Sequence, residues 1–285
     1  MATPTPLSTG RNQPGLWGGT IRLMTSPPRS AAQNMAFDEA MLTCAAESGE
    51  TLLRLYSWDR PSVSFGRNQR CHGVYSAARC EQAGVPAVRR LTGGRALLHG
   101  REVTYSVAAP TTAAPTLRGG YEAINSLLVD ALQTLGVAAE RLAPRDRTRS
   151  PELGSPELAG LGSPGLAPCF ETPSAGELVV GARKLVGSAQ HRGAAAFLQH
   201  GSILLDDDQS LLHTIALQPL PPVPPPATLQ QFGITDPTAV AESIAGALRR
   251  TATGDIVVSD DSAIPERHLA VALRRYRDPL WTWRR

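Results

Sequence analysis

Lysine is almost absent from this sequence. Lys184 is the only lysine among the 28 lysine and arginine residues of the 285-residue chain. The formal net charge is +3, and charged residues make up 19% of the chain and aromatic residues 5%. Because the charge is this small and no stripe of interleaved basic and aromatic residues occurs, the sequence predicts no nucleic-acid partner.

Long apolar runs and cysteine are scarce as well. No run of about 18 apolar residues is available to cross a bilayer, and the N-terminal residues lack the apolar core of a signal peptide. We therefore predict a cytoplasmic protein without a membrane partner. The cysteines show neither the paired spacing of a zinc site nor the density of a disulfide scaffold, so no metal is expected. They are Cys44, Cys71, Cys80 and Cys169.

Hydrophobic residues make up 42% of the chain, which is enough for a large buried core. Strand-like and helix-like segments alternate along the chain, a pattern that predicts an α/β (α+β) fold with a mixed β-sheet flanked by helices. Segments rich in proline and glycine mark the boundaries. The predicted units are a disordered extension at 1–18, a main domain at 19–218 with a mobile loop at 144–168, a proline-rich joint at 219–228 and a helical C-terminal segment at 229–285.

Two local patterns near the start of the main domain allow more detailed predictions. In "AQNMAFDEAMLTCAAES", Asn34 is a suitable helix N-cap, and Asp38 falls in the first turn, where an acidic side chain faces the positive end of the helix dipole. Further on, "TLLRLYSW" and "SVSFG" have the composition of strands and are separated by a segment containing Pro61. They predict two short strands joined by a tight turn.

A third pattern concerns the single lysine. Strand residues on both sides of Gly181 and Ala182 predict a hairpin with a type II′ turn, which places Lys184 just inside the second strand. Arginine replaces lysine where only a positive charge is needed, but not in a confined site, because the guanidinium group is a wide planar fork and the ammonium group is compact. Lys184 is therefore a candidate for such a site. Its position alone is equally consistent with a lysine retained by chance in an arginine-biased chain.

Small residues beside the lysine favour a binding site. Gly187, Ser188 and Ala189 follow it in the predicted strand, where they let a ligand approach closely. A second open segment, "RRLTGGRALLHG", lies between predicted strands, and a glycine turn with solvated arginines is the simpler interpretation of that segment taken alone. Its candidate ligand-contacting residues are Arg90, Leu91, Thr92, Gly93 and Gly94.

Cys169 and two histidines are further candidates. Cys169 lies between prolines at the end of the predicted loop, just before a strand, a setting that suits a positioned thiol as well as a core residue. A nearby ammonium group such as that of Lys184 favours the thiolate, which is the form that attacks thioesters. His99 and His200 end near the glycine segments, and each is either an acid–base group of the pocket or a structural hydrogen-bonded residue.

Five motifs in the range 33–205 carry a family resemblance. They are "NMAFDEAML", "LRLYSWDRPSVSFGRNQ", "VRRLTGGRALLHGREVTYSV", "CFETPSAGELVVGARKLVGSAQHR" and "FLQHGSILL". In this order they resemble the biotin/lipoate protein ligase and transferase superfamily, and most closely its cysteine-dependent octanoyltransferases. The insertion "SPELGSPELAGLGSP" before Cys169 departs from the family pattern.

The resemblance implies a fold, a reaction and partners. It implies a mixed sheet flanked by helices, with an acyl chain held between the "RRLTGGR" loop and the lysine strand. It also implies transfer of octanoyl from octanoyl-acyl carrier protein to a lysine of a lipoyl domain or of the glycine-cleavage H protein, through an acyl-cysteine thioester and without a cofactor, metal or ATP. The matching nucleophile is Cys169, and the matching lysine is Lys184, which holds the acyl carbonyl. The smaller transferases of the superfamily are often monomeric, so a monomer is expected.

Three alternatives stay open. Lipoate–protein ligases, which activate free lipoate with ATP, resemble the chain at "GARKLVGSAQ" but carry a third glycine where this chain has Arg95. A second cysteine-dependent subgroup moves octanoyl from the H protein to other lipoyl domains, and the sequence barely separates it from the first. The third alternative is a catalytically silent acyl-protein binding module, and the retention of both Cys169 and Lys184 argues against it.

Overall fold

The computed structural model describes residues 15–142, 176–221 and 224–285, which form two β-sheets with helices packed on them. The strands are β1 (Ile21–Thr25), β2 (Thr51–Tyr56), β3 (Ser62–Phe65), β4 (Ala87–Arg89), β5 (Leu97–His99), β6 (Glu102–Pro110), β7 (Glu140–Arg141), β8 (Leu178–Val180), β9 (Arg183–Arg192), β10 (Ala196–Leu204) and β11 (Ile256–Ser259). The helices are α1 (Ala31–Ser48), α2 (Ala77–Gln82), α3 (Leu117–Thr134), α4 (Leu211–Ile215), α5 (Pro237–Thr251), α6 (Glu266–Arg277) and α7 (Pro279–Thr282), and 3-10 helices lie at Leu229–Phe232 and Asp261–Ala263.

Eight of the described strands form one mixed sheet, in the order β11-β1-β2-β6-β10-β9-β8-β7. The strands β11, β1 and β2 are parallel to one another, and every later pair in that order is antiparallel. Helices α3 and α5 pack on one face, and α1, which carries α6, packs on the other. The predicted mixed sheet flanked by helices is therefore confirmed.

The N-cap of helix α1 lies four residues before the predicted one. Ser30 is the N-cap, because its side chain accepts from the backbone N–H of Gln33 while the Gln33 side chain returns to the backbone of Ser30. This reciprocal pair satisfies two N–H groups of the helix start, which a lone asparagine does not. Asn34 is instead buried inside the helix and donates to two backbone carbonyls. Asp38 consequently lies well past the first turn, so its predicted dipole role is wrong.

The strands β3, β4 and β5 form a separate three-stranded sheet. The predicted tight turn between β2 and β3 is wrong, because the two strands belong to different sheets. Trp58, just after β2, is buried and donates from Nε1 to Thr104 Oγ1 of the large sheet at 2.9 Å. Since this anchor holds the chain along the large sheet and Pro61 has no N–H for a strand ladder, the chain crosses over instead of turning back.

The C-terminal segment is built into the main sheet. Helices alone were expected for 229–285, but β11 pairs in parallel with β1, and α5 and α6 pack on α3 and α1. The run Ile256-Val257-Val258 is β-branched, a composition that favours a strand. In the predicted joint, the backbone N–H of Ala227 donates to the carbonyl of Lys184 at 2.9 Å. The predicted joint therefore contacts the lysine strand directly.

Two predicted units fall partly or wholly outside the described residues. Of the expected N-terminal extension at 1–18, residues 1–14 lie outside them, whereas Leu16 and Trp17 are buried in the core of the large sheet. The predicted loop at 144–168 and Cys169 both lie outside the described residues.

The hairpin predicted around Lys184 is confirmed, but its turn is of another type. Strands β8 and β9 are antiparallel and are joined by Gly181 and Ala182. Both residues have positive φ, +53° and +65°, and a type II′ turn has positive φ only at the first of them. The turn is therefore of type I′, whose twist matches that of the flanking strands. The consequence is an alanine held in the left-handed region.

The variant Ala182→Gly is expected to raise the free energy of unfolding by about 0.5 kcal/mol. A left-handed alanine costs about 1–2 kcal/mol, and the greater freedom of glycine in the unfolded chain offsets roughly half of that. Urea titration measures the change. Ala195→Gly in the next turn is the control, since Ala195 is not among the described residues with positive φ, and it should destabilise the protein instead. A loss of stability in Ala182→Gly contradicts the strain at this turn.

Candidate active site

A cavity of about 170 Å³ lies where the two sheets face each other. Its wall is formed by β9 and β10 of the large sheet, by β3 and β5 of the small sheet and by the loop that follows β4. The residues that line it are Met35, Tyr56, Ser64, Arg90, Gly94, Arg95, Leu97, His99, Thr104, Glu177, Lys184, Gly187, Ser188, Ala189, His200, Gly201 and Ser202. Lys184, Gly187, Ser188 and Ala189 thus lie together in the wall of this cavity.

Lys184 forms a buried ion pair at one side of the cavity. Its Nζ donates to Glu177 Oε1 at 2.7 Å, and the exposed fractions of the two residues are 2% and 8%. The hairpin creates this pair, because Glu177 immediately precedes β8 and Lys184 lies at the start of β9. A buried ammonium group is tolerated only with such a partner. The confined position of Lys184 matches the interpretation that arginine does not fit there.

Tyr105 of β6 lies beside Gly201 of β10 in the sheet, and Gly201 is in turn paired with Ser188 of β9. A Cβ atom at Gly201 of β10 would lie 2.7 Å from Tyr105 Cε1, so only glycine fits there. The Tyr105 hydroxyl lies 2.7 Å from Ser188 Oγ and accepts from Gln199 Nε2 at 2.9 Å. Burial raises the pKa of Tyr105 far above its ordinary value, so the phenol stays neutral and fixes Ser188 by hydrogen bonding.

The loop from Arg90 to Arg95 is held closed by the side chain of Arg90. Its guanidinium group donates to the carbonyls of Gly93 at 2.9 Å, Arg95 at 2.7 Å and Ser64 at 2.8 Å. The loop also packs tightly on β3, since a Cβ at Gly66 would lie 1.9 Å from the carbonyl oxygen of Gly94. Arg90 thus lines the cavity and shapes its rim at the same time.

The other residues predicted in this loop have different positions. Leu91 packs partly buried against the cluster that contains Tyr56 and Trp58, and Gly93 is exposed. Thr92 is fully buried and points back toward the large sheet, where its Oγ1 lies 2.7 Å from His200 Nε2. Only Arg90 and Gly94 of the five candidates are in the described cavity wall.

Each predicted histidine is part of a chain of three polar side chains. In the first chain, Thr92 Oγ1 contacts His200 Nε2, and His200 Nδ1 lies 2.7 Å from Asp38 Oδ2. The same carboxylate oxygen accepts from the Tyr56 hydroxyl at 3.0 Å. Burial and the adjacent Asp38 raise the pKa of Tyr56 well above its ordinary value, so Tyr56 remains a hydrogen-bond donor.

The second chain runs from Ser64 through His99 to Glu102. Ser64 Oγ lies 2.7 Å from His99 Nε2, and His99 Nδ1 lies 2.8 Å from Glu102 Oε1. The imidazole ring also stacks on Trp58, with the ring centroids 3.8 Å apart. Glu102 Oε1 further accepts from Ser202 and Thr104. Hydroxyl, imidazole and carboxylate in sequence form the arrangement that orients an acid–base histidine.

Sequence reasoning missed the carboxylates that serve these predicted residues. The spacing His99-x-x-Glu102 at the start of a strand is a usable signal for the second chain. Glu177 offers a weaker one, an acidic residue just before a hairpin that carries a lysine. Asp38 offers none, because it lies 162 positions from His200 in the sequence.

The described residues contain no group of three His, Cys, Asp or Glu side chains arranged to hold a metal ion. None of the described helices is long and apolar enough to cross a membrane.

Comparison with known proteins identifies relatives of this chain. Residues 30–223 match the family model of the lipoyl protein ligase A/B catalytic domain. An octanoyltransferase LipM of Kyrpidia tusciae is 42% identical over 202 residues, which are 69% of this chain and 70% of that protein. An octanoyltransferase LipM of Brevibacillus brevis is 33% identical over 280 residues, which are 93% of this chain and 99% of that protein.

A solved structure shares the fold. It is a bi-partite lipoate protein ligase studied with its E2 lipoyl domain from Thermoplasma acidophilum, and it superimposes with a TM-score of 0.68 at 19% identity over 93% of this chain and 96% of that one. At this identity the likeness concerns the fold alone.

Proposed function

The chain belongs to the lipoyl protein ligase A/B catalytic domain family, and from this premise we propose that it is an octanoyltransferase of lipoate biosynthesis. The octanoyl group moves from octanoyl-acyl carrier protein to a lysine of a lipoyl domain or of the glycine-cleavage H protein, through an acyl-cysteine thioester. The observation that carries this proposal is the buried Lys184–Glu177 pair in the wall of a cavity lined by small residues.

Cys169 is the nucleophile in this proposal. It precedes Lys184 by 15 positions in the sequence, and its thiolate attacks the carbonyl carbon of the donor thioester while the donor thiol departs. The acceptor amine then attacks the resulting acyl-cysteine thioester, which releases the cysteine. Neither step consumes ATP, because the thioester is already activated.

Lys184 stabilises the charge that develops in both steps. A tetrahedral intermediate places negative charge on the former carbonyl oxygen, and a fixed ammonium group in a water-poor cavity stabilises that charge strongly. Glu177 holds the ammonium group in place at 2.7 Å. The octanoyl chain then extends past Gly187 and Ala189, which line the cavity and carry no side chain larger than a methyl group.

The rival activity is that of an ATP-dependent lipoate–protein ligase. The structural neighbour from Thermoplasma acidophilum is a lipoate protein ligase that was studied together with its E2 lipoyl domain. That pairing supports a lipoyl-domain acceptor for this chain. The relatives at 33% and 42% identity are instead named octanoyltransferases, and Arg95 stands at the third glycine of the ligase pattern. These observations favour the transferase.

The proposed function is tested by incubating the protein with octanoyl-acyl carrier protein in the absence of ATP and measuring its intact mass. The wild type is expected to gain one octanoyl group, and Cys169→Ser none. Cys80→Ser is the matched control, because burial raises the pKa of the Cys80 thiol to about 11 and leaves it unreactive at neutral pH. It should label as the wild type does.

Three outcomes contradict the proposal in different ways. Labelling that requires ATP and free octanoate assigns the chain to the ligases. Labelling from octanoylated H protein but not from acyl carrier protein assigns it to the amidotransferases. Binding of the donor without any covalent gain in mass leaves the non-enzymatic acyl-protein binding module.

A further inference from the structure

The side of the cavity opposite Lys184 is closed by large side chains. The cavity extends across the large sheet from Lys184 on β9 to Tyr56 on β2, and Met35 of α1 lines it in the same apolar cluster as Tyr56. In the proposed function the acyl carbonyl lies at Lys184, so the methyl end of the chain lies toward β2. Building on that function, we propose that Met35 sets the longest acyl chain that the protein accepts.

Four paired residues form the floor of the cavity. They are Gly187 of β9, Ser202 of β10, Thr104 of β6 and Tyr56 of β2, each paired with the next across the sheet. All four line the cavity, because directly paired residues project from the same face of a sheet. The side chains grow from a single hydrogen at Gly187 to a phenol at Tyr56. The floor is therefore open beside the lysine strand and closed at β2.

The length of this row fits an octanoyl chain. Neighbouring strands lie about 4.8 Å apart, so about 10 Å separates β9 from β6 and about 14 Å separates β9 from β2. An extended octanoyl chain spans about two of these strand spacings. A chain that begins at the lysine strand therefore ends over Thr104, and further methylene groups would meet the side chains of Tyr56 and Met35.

The volume of the cavity sets the same limit. It is about 170 Å³, and an apolar cavity of about 150 Å³ holds one benzene ring, a molecule with six carbon atoms. Space of this size accommodates an acyl chain close to octanoyl in length, but not one with several more methylene groups. A longer chain fits only if a residue of the wall becomes shorter.

Met35 is held in place from behind. It is 2% exposed and belongs to the cluster that joins α1 to α6 through Tyr276. The preceding residue, Asn34, donates to the backbone carbonyl of Ser57 at 3.0 Å, which ties the start of α1 to the chain just after Tyr56. Because protein interiors are closely packed, a longer acyl chain cannot displace Met35 without straining this cluster.

Met35 is also the part of this wall that can be changed alone. The Tyr56 hydroxyl donates to Asp38 Oδ2, and the Arg54 guanidinium group lies 4.0 Å from the centroid of its ring. Substitution of Tyr56 would therefore disturb buried charges. Met35 carries neither a charge nor a hydrogen-bond donor, so shortening it changes the shape of the wall and leaves those polar contacts in place.

The test is a competition between donors of different length. The protein is incubated without ATP with an equimolar mixture of hexanoyl-, octanoyl-, decanoyl- and dodecanoyl-acyl carrier protein, and the attached acyl groups are identified by intact mass. The wild type should carry octanoyl over decanoyl by about 10-fold or more, the usual discrimination for an extra methylene group in an apolar pocket. Met35→Ala should carry at least as much decanoyl as octanoyl. The ratio does not depend on how much of the protein is folded.

Two variants serve as controls. Met41→Ala removes the same side chain from the same helix, but Met41 packs in the cluster that contains Leu52 and Ala108 and is not in the described cavity wall. It should keep the wild-type preference for octanoyl. Met35→Leu approximately conserves the volume of the side chain and should keep that preference too.

The outcomes separate this inference from the proposed function. An unchanged preference for octanoyl in Met35→Ala overturns the inference, and so does a wild type that takes decanoyl as readily as octanoyl. A gain of decanoyl in Met41→Ala also overturns it, because the effect would then come from a general loosening of the core. If Met35→Ala fails to fold, an unchanged preference in Met35→Val has the same meaning. Absence of every acyl group from the wild type contradicts the proposed function itself.

Discussion

Lys184→Arg is expected to lower octanoyl transfer by about 100-fold or more, although it conserves the positive charge. Removing one preorganised donor from an oxyanion site costs about 10²–10³ in rate. The guanidinium group is wider than the ammonium group and spreads its charge over a planar fork. Lys184 is 2% exposed and bonded to Glu177 at 2.7 Å, so the fork does not fit without displacing its neighbours.

The measurement is single-turnover transfer from octanoyl-acyl carrier protein, followed by intact mass. Arg183→Lys makes the reverse exchange on the adjacent residue, which is exposed and bonds to Gln231, and it should leave the rate unchanged. Arginine is a sharper choice than methionine at position 184, because methionine would leave the buried Glu177 carboxylate without its cation and unfold the site. If Lys184→Arg transfers as fast as the wild type, catalysis does not require lysine instead of arginine at this position.

Arg54→Leu is expected to lower the free energy of unfolding by about 3–5 kcal/mol, the typical cost of breaking a buried ion pair from one side. Arg54 lies in β2 with no exposed surface. Its guanidinium group lies over the rings of Phe37 and Tyr56, at 4.6 Å and 4.0 Å from their centroids. Burial lowers the pKa of Arg54, and Tyr56, Asp38 and Asp261 oppose that effect.

The position of Arg54 explains the size of the expected loss. Its guanidinium group lies 3.7 Å from Asp38 and 3.8 Å from Asp261, and it donates to Ser26 Oγ at 2.6 Å. Removing it leaves the buried Asp38 carboxylate, which lies behind His200, without its guanidinium partner, whereas Asp261 in the C-terminal segment keeps its ion pair with Arg29. Denaturant unfolding measures the change. Arg60→Leu is the control, because Arg60 forms an exposed ion pair with Asp59, and it should cost at most about 0.5 kcal/mol. A loss below about 1 kcal/mol in Arg54→Leu contradicts this assignment.

Local patterns were sufficient wherever neighbouring residues decide the conformation. The hairpin around Lys184 follows from two strand segments separated by a glycine. Errors arose where two local signals compete. Ser30 with Gln33 is a stronger helix start than Asn34. At Ala182 the twist of the paired strands imposes a positive φ, although an alanine residue disfavours that backbone conformation.

The sequence by itself determined that this chain forms a mixed sheet flanked by helices, that its single lysine lies at the start of a hairpin strand, and to which family it belongs. These features depend on periodicity, turn composition and ordered motifs, all of which are short-range properties of the chain. Only the tertiary structure decided which carboxylate serves which cation or imidazole. Asp38 with His200, Asp261 with Arg54, and β11 beside β1 are joined across long stretches of sequence. Such contacts depend on the path of the whole chain and on the requirement that every buried charge has a partner. That requirement does not restrict the residues adjacent to the charge in the sequence, so no local pattern predicts the partner.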